Sequence, residues 1–485
     1  MNYKMMGRFH ALILAMEALF MLPALIISLS VGPFKTTVAF GVSILLTASV
    51  AALLALISKG AKRDFYVREG LICVGSSWIV ISLFGCLPFY LSGEIPFFID
   101  ALFEIVSGFT TTGASIVANV EGLSKGILYW RSFSHWLGGM GVLVFLLALL
   151  PSTGGKNEGF TMHLFRAESP GPEVGKLVPS LKKTARVLYL TYIALTVLNF
   201  IFLIAGGMPL FDSVCTALGT AGTGGFGIKN DSLASYSPYL QNVTTVFMLL
   251  FGVNFGCYYL LLLGKLKNVF RDEELRMYLG LILAAIALIV LNTRHLFGSI
   301  GETIRHAAFQ VAAIITTTGF ATADFDLWPT LSKTLLLLLM AIGACAGSTG
   351  GGMKCSRVLL LFKNLKRNVA RILTPNKVQV IRVNGKTVDE QVVSGTGAYL
   401  AAYVILLIVS TLLLSIDGHS FATTFSAALS CMNNIGPGID AVGPTCNYAL
   451  FSPFSKIVLA LNMLAGRLEI FPILILFSPR AWRRK

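Results

Sequence analysis

Six stretches of this chain run close to the length of a membrane crossing with almost no charge. They are residues 11–31 (interrupted only by Glu17), 38–58, 71–91, 187–206, 277–292 and 395–415. A helix needs about 20 apolar residues to cross about 30 Å of hydrocarbon. Backbone in lipid must satisfy its own polar groups, so continuous apolar runs of this kind predict helices. Hydrophobic residues make up 55% of the 485 and charged ones 13%, against about 25% charged in a soluble protein. The first run is too long for a cleaved signal, lacks a small-residue cleavage pattern and leads straight into a second apolar run. The expected fold class is an all-α polytopic membrane protein.

Between the long runs lie four short segments, at 98–109, 210–221, 304–315 and 421–432. About 12 helical residues rise only about 18 Å, so these segments enter the membrane and turn back. Each leads into a polar tetrapeptide ending in glycine: Thr110-Thr111-Thr112-Gly113, Gly222-Thr223-Gly224-Gly225, Thr316-Thr317-Thr318-Gly319 and Asn433-Asn434-Ile435-Gly436. The closing glycines are spaced by 112, 94 and 117 residues (225−113, 319−225, 436−319). Finer matches support a fourfold repeat. Phe103 and Phe309 stand equally far before their glycines, as do Phe98 and Phe421, and Asp100 and Asp212.

The predicted organisation is two leading helices (1–69) and four pore repeats (70–185, 186–275, 276–393 and 394–485). Each repeat has a first span, a short segment, its loop and a second span, the second spans lying near 130–150, 242–264, 333–362 and 454–478. That gives ten spans and four half-inserted segments. Two crossings per repeat make the repeats parallel about a pseudo-fourfold axis along the membrane normal.

The formal charge of +15 follows the same plan. Most of the 38 basic residues fall in clusters at Lys4–Arg8, Lys59–Arg68, Lys156–Arg186, Lys265–Arg276, Lys354–Lys386 and Arg480–Lys485. All lie on one side if each repeat crosses twice, and the positive-inside rule makes that side the cytoplasm, with both termini there. The charge is a topology signal rather than a nucleic-acid footprint. The loops then open outward among eleven acids, Glu94, Asp100, Glu104, Glu121, Asp212, Asp231, Glu302, Asp324, Asp326, Asp417 and Asp440, a mildly acidic vestibule that concentrates cations.

Four glycine-ended loops around one axis fit the recipe of a cation filter, in which backbone carbonyls replace the ion's hydration shell. Glycine tolerates the strained backbone, and β-branched threonine stiffens it. The candidate filter residues are Thr111, Thr112, Gly113, Thr223, Gly224, Gly225, Thr317, Thr318, Gly319, Asn434, Ile435 and Gly436, with potassium as the ion. Gly225 rather than Gly224 is taken as the second filter glycine because Gly-Phe recurs at Gly319-Phe320. Residues 343–354 interrupt the third repeat's second span with five glycines, each costing about 1 kcal/mol in a helix interior relative to alanine. This stretch is expected to be unwound and to form a barrier under the filter, with Gly347, Gly350, Gly351 and Gly352 as gate residues. It is no nucleotide-binding P-loop, since Gly352-Met353-Lys354 breaks the Gly-Lys pair and no strand precedes it.

Arg467 lies within the apolar run 461–476, where an arginine is expensive and marks function. It is read as a positive charge in the pore near the gate, the competing reading being an arginine that holds carbonyls of an unwound neighbour. Glu469 falls on another helix face and is not an obvious partner. His135, His306 and His419 are read as interfacial, and Tyr129, Trp130, Trp136 and Trp328 as belt aromatics. The eight cysteines form no CxxC pair and read as small buried hydrophobes. An intramembrane protease is disfavoured: there is no HExxH, and Gly436-Pro437-Gly438-Ile439-Asp440 misses the GxGD pattern by one residue.

The four loops, Gly343–Lys354, Arg467 and Asn433–Gly438 together resemble the TrkH-type subunits of the Trk/Ktr/HKT potassium transporters, over essentially the whole chain. The resemblance implies an ion-conducting homodimer with one pore per protomer in a bacterial cytoplasmic membrane, and no organic cofactor on this chain. It implies filter glycines at Gly113, Gly225, Gly319 and Gly436 and a gating loop around Gly347–Gly352 beside Arg467. It also implies a cytosolic nucleotide-binding, TrkA-like regulatory partner, for which the basic loops at 151–186 and 354–394 are the expected docking surface. In the plant branch serine at the first filter glycine accompanies sodium transport, so Gly113 argues for potassium. Sodium transport, or potassium cotransport coupled to another ion, through the same scaffold is the alternative, and the residues alone do not separate the two.

Overall fold

The computed structural model describes residues 2–60, 67–141, 181–375 and 379–482. The far end of the first repeat's second span (142–150), most of the basic loop 151–186, Lys377 and residues 483–485 lie outside the described residues. The chain is built almost wholly of helices. A two-stranded hairpin, Arg382–Val383 with Lys386–Thr387, is the one sheet among the described residues.

Two spans lead, Tyr3–Val31 and Phe34–Ile57. The first bends at Met21, where Pro23 in the next turn has no N–H to continue the ladder. Both pack against each other and against the first repeat, where the Thr36 hydroxyl donates to Glu94 over 2.7 Å. Their outer faces carry exposed leucine and isoleucine, such as Leu45 and Ile57. A membrane protein turns such faces to lipid.

Each of the four repeats opens with a long apolar helix: Val67–Gly85, Leu181–Ala205, Glu273–Thr293 and Glu390–Leu414. With the two leading spans these make six crossings of sufficient length and apolarity among the described residues. The pore helices follow at Phe98–Phe109, Leu210–Gly222, Ile300–Ile315 and Phe421–Asn433. The third and fourth begin at serine caps, Ser299 accepting from the Glu302 amide and Ser420 from the Thr423 amide. All four are buried towards their C-terminal ends, for example Phe109, Ala221, Ile315 and Met432.

The second spans differ from the sequence expectation. None of those at 242–264, 333–362 or 454–478 is a continuous helix. In the second repeat Pro238–Phe251 and Phe255–Leu262 meet at 89°. Gly252 and Asn254 make that break, because the Asn254 side chain accepts the Gly256 amide and starts a new helix. In the third repeat Thr330–Ile342 and Cys355–Leu373 flank the loop 343–354, interrupted as its glycines predict. In the fourth, Pro453–Arg467 stops before Glu469 and Ile470, whose φ values are +62° and +65°, and Phe471–Leu476 resumes. Arg467 therefore ends a helix rather than sitting inside one. In the first repeat Lys125–Gly139 ends at Gly138-Gly139-Met140-Gly141. Lipid would not tolerate these breaks, so the repeats must shield them around a common interior.

Candidate functional site

The four tetrapeptides begin where the pore helices end, and they share one backbone conformation. Thr111, Thr223, Thr317 and Asn434 all lie in the left-handed region, with φ of +56°, +53°, +58° and +56°. The residue after each turns its amide back five residues into its own pore helix. Thr112 donates to Ser107 O (2.9 Å), Gly224 to Gly219 O (3.0 Å), Thr318 to Ala313 O (2.8 Å) and Ile435 to Ser430 O (3.1 Å). The closing Gly113, Gly225, Gly319 and Gly436 have φ of +77°, +77°, +79° and +97°. In this register Gly224 is the counterpart of Thr112, and Gly225 of Gly113.

Those glycines also form the joints between loops. A Cβ on Gly113 would strike the carbonyl of Gly224, one on Gly225 that of Thr318, and one on Gly319 that of Ile435. One on Gly436 would lie 2.7 Å from the carbonyl of Thr112. The contacts run from loop one to two, three, four and back to one, a closed ring of backbone. Left-handed backbone and the near carbonyl both demand glycine at these four places. The ring is the floor of one outward cavity, bounded by Gly113, Gly225, Gly319 and Gly436.

Side chains around the ring are buried, and several pair with one another. Thr110 and Thr112 share a hydroxyl–hydroxyl bond of 2.8 Å, and Thr316 and Thr318 one of 2.7 Å. In loop four the Asn434 amide group donates to Thr112 Oγ1 (3.0 Å) and Met463 O (2.9 Å). The four pore helices present their C-terminal ends to the ring, each carrying about half a negative charge. The site therefore offers a cation oxygen dipoles rather than carboxylates.

The acidic vestibule fares differently from its expectation. Among the described residues no carboxylate side chain bounds the cavity, whereas Arg131 and Lys229 do. Glu104 is fully buried behind loop one, ion-paired with the equally buried Arg131 at 2.7 Å. It also accepts the Ser115 hydroxyl (2.9 Å) and the Ile116 amide (2.9 Å), fixing the chain beyond Gly113. Arg131 stacks on Phe226, the residue after Gly225, at 4.1 Å. Asp100 pairs with Lys456 at 2.6 Å, and Asp326 with Lys333 at 3.5 Å. At the rim, hydroxyls of Ser420 and Thr423 hold the Asp440 carboxyl below the usual carboxylate range. Sequence spacing groups the acids that share the loops' side of the repeats, but does not tell which of them are already neutralised.

His135 is another departure. It is fully buried rather than interfacial, with Nδ1 2.8 Å from Gly108 O and Nε2 accepting the Phe226 amide at 3.2 Å. It braces loops one and two from behind, and a Cβ on Gly224 would run into its ring. Trp130 is buried as well and donates to Gly85 O over 2.9 Å, and Trp328 is 4% exposed, so neither belongs to a surface belt.

Beneath the ring lies the loop 343–354. Its Gly351 amide donates to Thr317 Oγ1 over 2.6 Å, and Gly350 packs against Thr316 O. Gly347 and Gly352 sit farther off. Gly347 takes the Phe255 amide at the break in repeat two, and Gly352 packs on Gly343 where the loop closes on itself. Arg467 crosses this level. It donates to Thr111 Oγ1 (3.2 Å), Thr349 O (2.8 Å), Gly139 O (2.6 Å) and Gly138 O. It thus meets loop one at Thr111, the stretch 343–354 at Thr349 and the helix end of repeat one, in the geometry of an arginine that holds carbonyls. Glu469 turns away and pairs with Arg357. The sequence reading put His135 at the interface and missed the Glu104–Arg131 pair and Asn254; the Gly-Val-Asn interruption at 252–254 was the available signal for the last.

Four parallel helix–loop–helix repeats closing a ring of loops define a polytopic membrane protein of the cation-transporter class. Residues 37–484 match the family described as "TrkH: Cation transport protein". The chain is 37% identical over 451 residues, 92% of each sequence, to the Trk system potassium uptake protein TrkH of Salmonella typhimurium. It is 34% identical over 491 residues, the full length of both, to that of Halomonas elongata. The crystal structure of the potassium transporter TrkH from Vibrio parahaemolyticus superposes with a TM-score of 0.87 at 30% identity, covering both chains completely. This chain belongs to the TrkH family, whose members are transport proteins and not enzymes.

Proposed function

We propose that this protein takes potassium into the cell through the ring formed by Thr111–Gly113, Thr223–Gly225, Thr317–Gly319 and Asn434–Gly436. The observation that carries this reading is the closed sequence of glycine–carbonyl joints at the C-terminal ends of four pore helices. Carbonyl dipoles backed by four negative helix ends replace the hydration of a cation without binding it as tightly as carboxylates would. Relatives that share this chain's length are named for potassium uptake, which favours potassium over sodium as the ion.

The loop 343–354 with Gly347, Gly350, Gly351 and Gly352 acts as the gate, and Arg467 holds it against the ring. A Trk system has more than one component, and a cytosolic nucleotide-binding subunit docking on the basic loops would move this gate. The protein works as a homodimer in a bacterial cytoplasmic membrane with both termini inside, as the basic clusters indicate. Sodium or ion-coupled transport is the second reading.

The test is cation flux into proteoliposomes holding this protein alone, comparing potassium, rubidium, sodium and lithium under an imposed gradient. Potassium and rubidium passing well ahead of sodium is the expected result. Equal sodium flux would reject the ring as a potassium filter, and potassium flux that requires a sodium or proton gradient would favour the coupled reading.

A further inference from the structure

The gate loop is a closed bow. Its ends meet where the Lys354 amide donates to Ile342 O (2.9 Å) and the Cys355 amide to Ala344 O (2.9 Å). Between those ends sits a carboxylate from another element, Glu274, in the first turn of the helix Glu273–Thr293 and 8% exposed. A single oxygen of it accepts the Ala346 amide on the way into the loop (2.6 Å) and the Ser356 amide on the way out (3.0 Å). Ser356 lies in the first turn of the helix Cys355–Leu373, where an anion is also favoured by the helix dipole.

Neighbouring acids tie the same helix turn to the cytoplasmic face. Glu273 accepts the Asn384 amide at the hairpin turn (3.0 Å) and pairs with Lys363 of the outgoing helix. Asp272 accepts the Asn384 side chain (2.7 Å). Three consecutive carboxylates thus join the hairpin, the outgoing helix and the gate loop.

We propose that Glu274 is the latch of the gate loop: a positioning residue that holds residues 343–354 closed by clasping both ends of the bow. The proposal rests on the reading of that loop as the gate. Two buried hydrogen bonds to one carboxyl oxygen together favour the closed loop by about tenfold. Freeing the two ends therefore shifts the loop's opening by about tenfold or more.

Cys345 reports the loop, being 1% exposed within it, and Cys431 reports the fold from pore helix four, 0% exposed. Full-length Glu274→Ala and Glu274→Gln are reconstituted, treated with N-ethylmaleimide and read by peptide mass spectrometry, with rubidium flux measured in parallel. Glu274→Ala is expected to label Cys345 about tenfold faster with Cys431 unchanged, and to raise rubidium flux. Glu274→Gln, which keeps an acceptor but not the charge, falls between it and the wild type. Faster Cys345 labelling with unaltered flux would keep the latch and reject the loop as gate. Unchanged Cys345 labelling in Glu274→Ala, or equal acceleration at Cys345 and Cys431, would overturn the latch.

Discussion

The ring of loops and the level beneath it obey the fourfold repeat to very different degrees. In the ring, Thr112, Gly224, Thr318 and Ile435 make the same backbone bond although no residue type is common to all four. Below it, the three second spans described in full break in three ways: an asparagine cap at an 89° bend, a twelve-residue bow, and a pair of left-handed residues. Arg467 comes from one repeat only and bonds to two others. A cage for a spherical ion uses equal oxygens on every side, so its geometry is held by main chain and tolerates side-chain drift. The level beneath is free of that constraint: a single long loop bears on one arginine, the asymmetry expected of the proposed gate.

The sharpest way to break this comparison is at the tightest joint of the ring. At Gly319 a Cβ would meet the Ile435 carbonyl on one side and Pro437 Cδ at 2.9 Å on the other, with φ at +79°. Gly319→Ala should abolish potassium flux and cost about 1–3 kcal/mol of stability from the strained backbone alone, read by flux assay and thermal unfolding. Wild-type flux in this variant would mean the ring is not on the ion's path. Gly436→Ala, with 2.7 Å at its joint, should lose less.

The next effect sharpens the asymmetric level. Arg467→Gln removes a guanidinium with four oxygen partners and leaves the loop 343–354 with fewer ties to repeat one. Loss of one charged hydrogen bond is worth about tenfold in an opening equilibrium, so basal rubidium flux should rise by about that factor. A fall in flux would show that the arginine's main task is to hold the pathway together, and would shift the gate to the loop alone.

These two levels were not equally legible in the sequence. Glycine-ended loops at the end of short apolar segments were visible because left-handed backbone leaves few choices of residue, and four copies multiply the signal. The loop 343–354 was visible for the same reason, since five glycines inside a span have no helical use. The breaks at 252–254 and 468–470 were only faintly marked. Asn254 and Glu469-Ile470 look like single polar or bulky residues in an apolar run, and tertiary contacts fix their conformation. Glu104 and His135 were misread, and Arg131 was not singled out, because a buried ion pair or imidazole has no local pattern. Its partner arrives from another helix, as Arg131 does 27 residues after Glu104. Arg467 stood out by its cost in lipid, while its partners depended on which helix ends the fold brings below the ring.

The smallest expected effect tests whether the four joints are equal. Gly113 faces the Gly224 carbonyl and, beyond it, only the backbone of Gly224 and Gly225, with no proline ring in the joint. Pro437 gives no such freedom to the joint at Gly319. Gly113→Ser should therefore push one carbonyl outward without dismantling the ring. The other three joints keep their geometry, so potassium still passes, but the cage no longer encloses it evenly. Discrimination of potassium over sodium should fall by about threefold, under 1 kcal/mol, read as the ratio of the two fluxes in one proteoliposome preparation. An unchanged ratio would remove Gly113 from the filter. A complete loss of flux would show that loop two is as rigid as loop four, and that the ring has four equal joints rather than a stiff half and a compliant one.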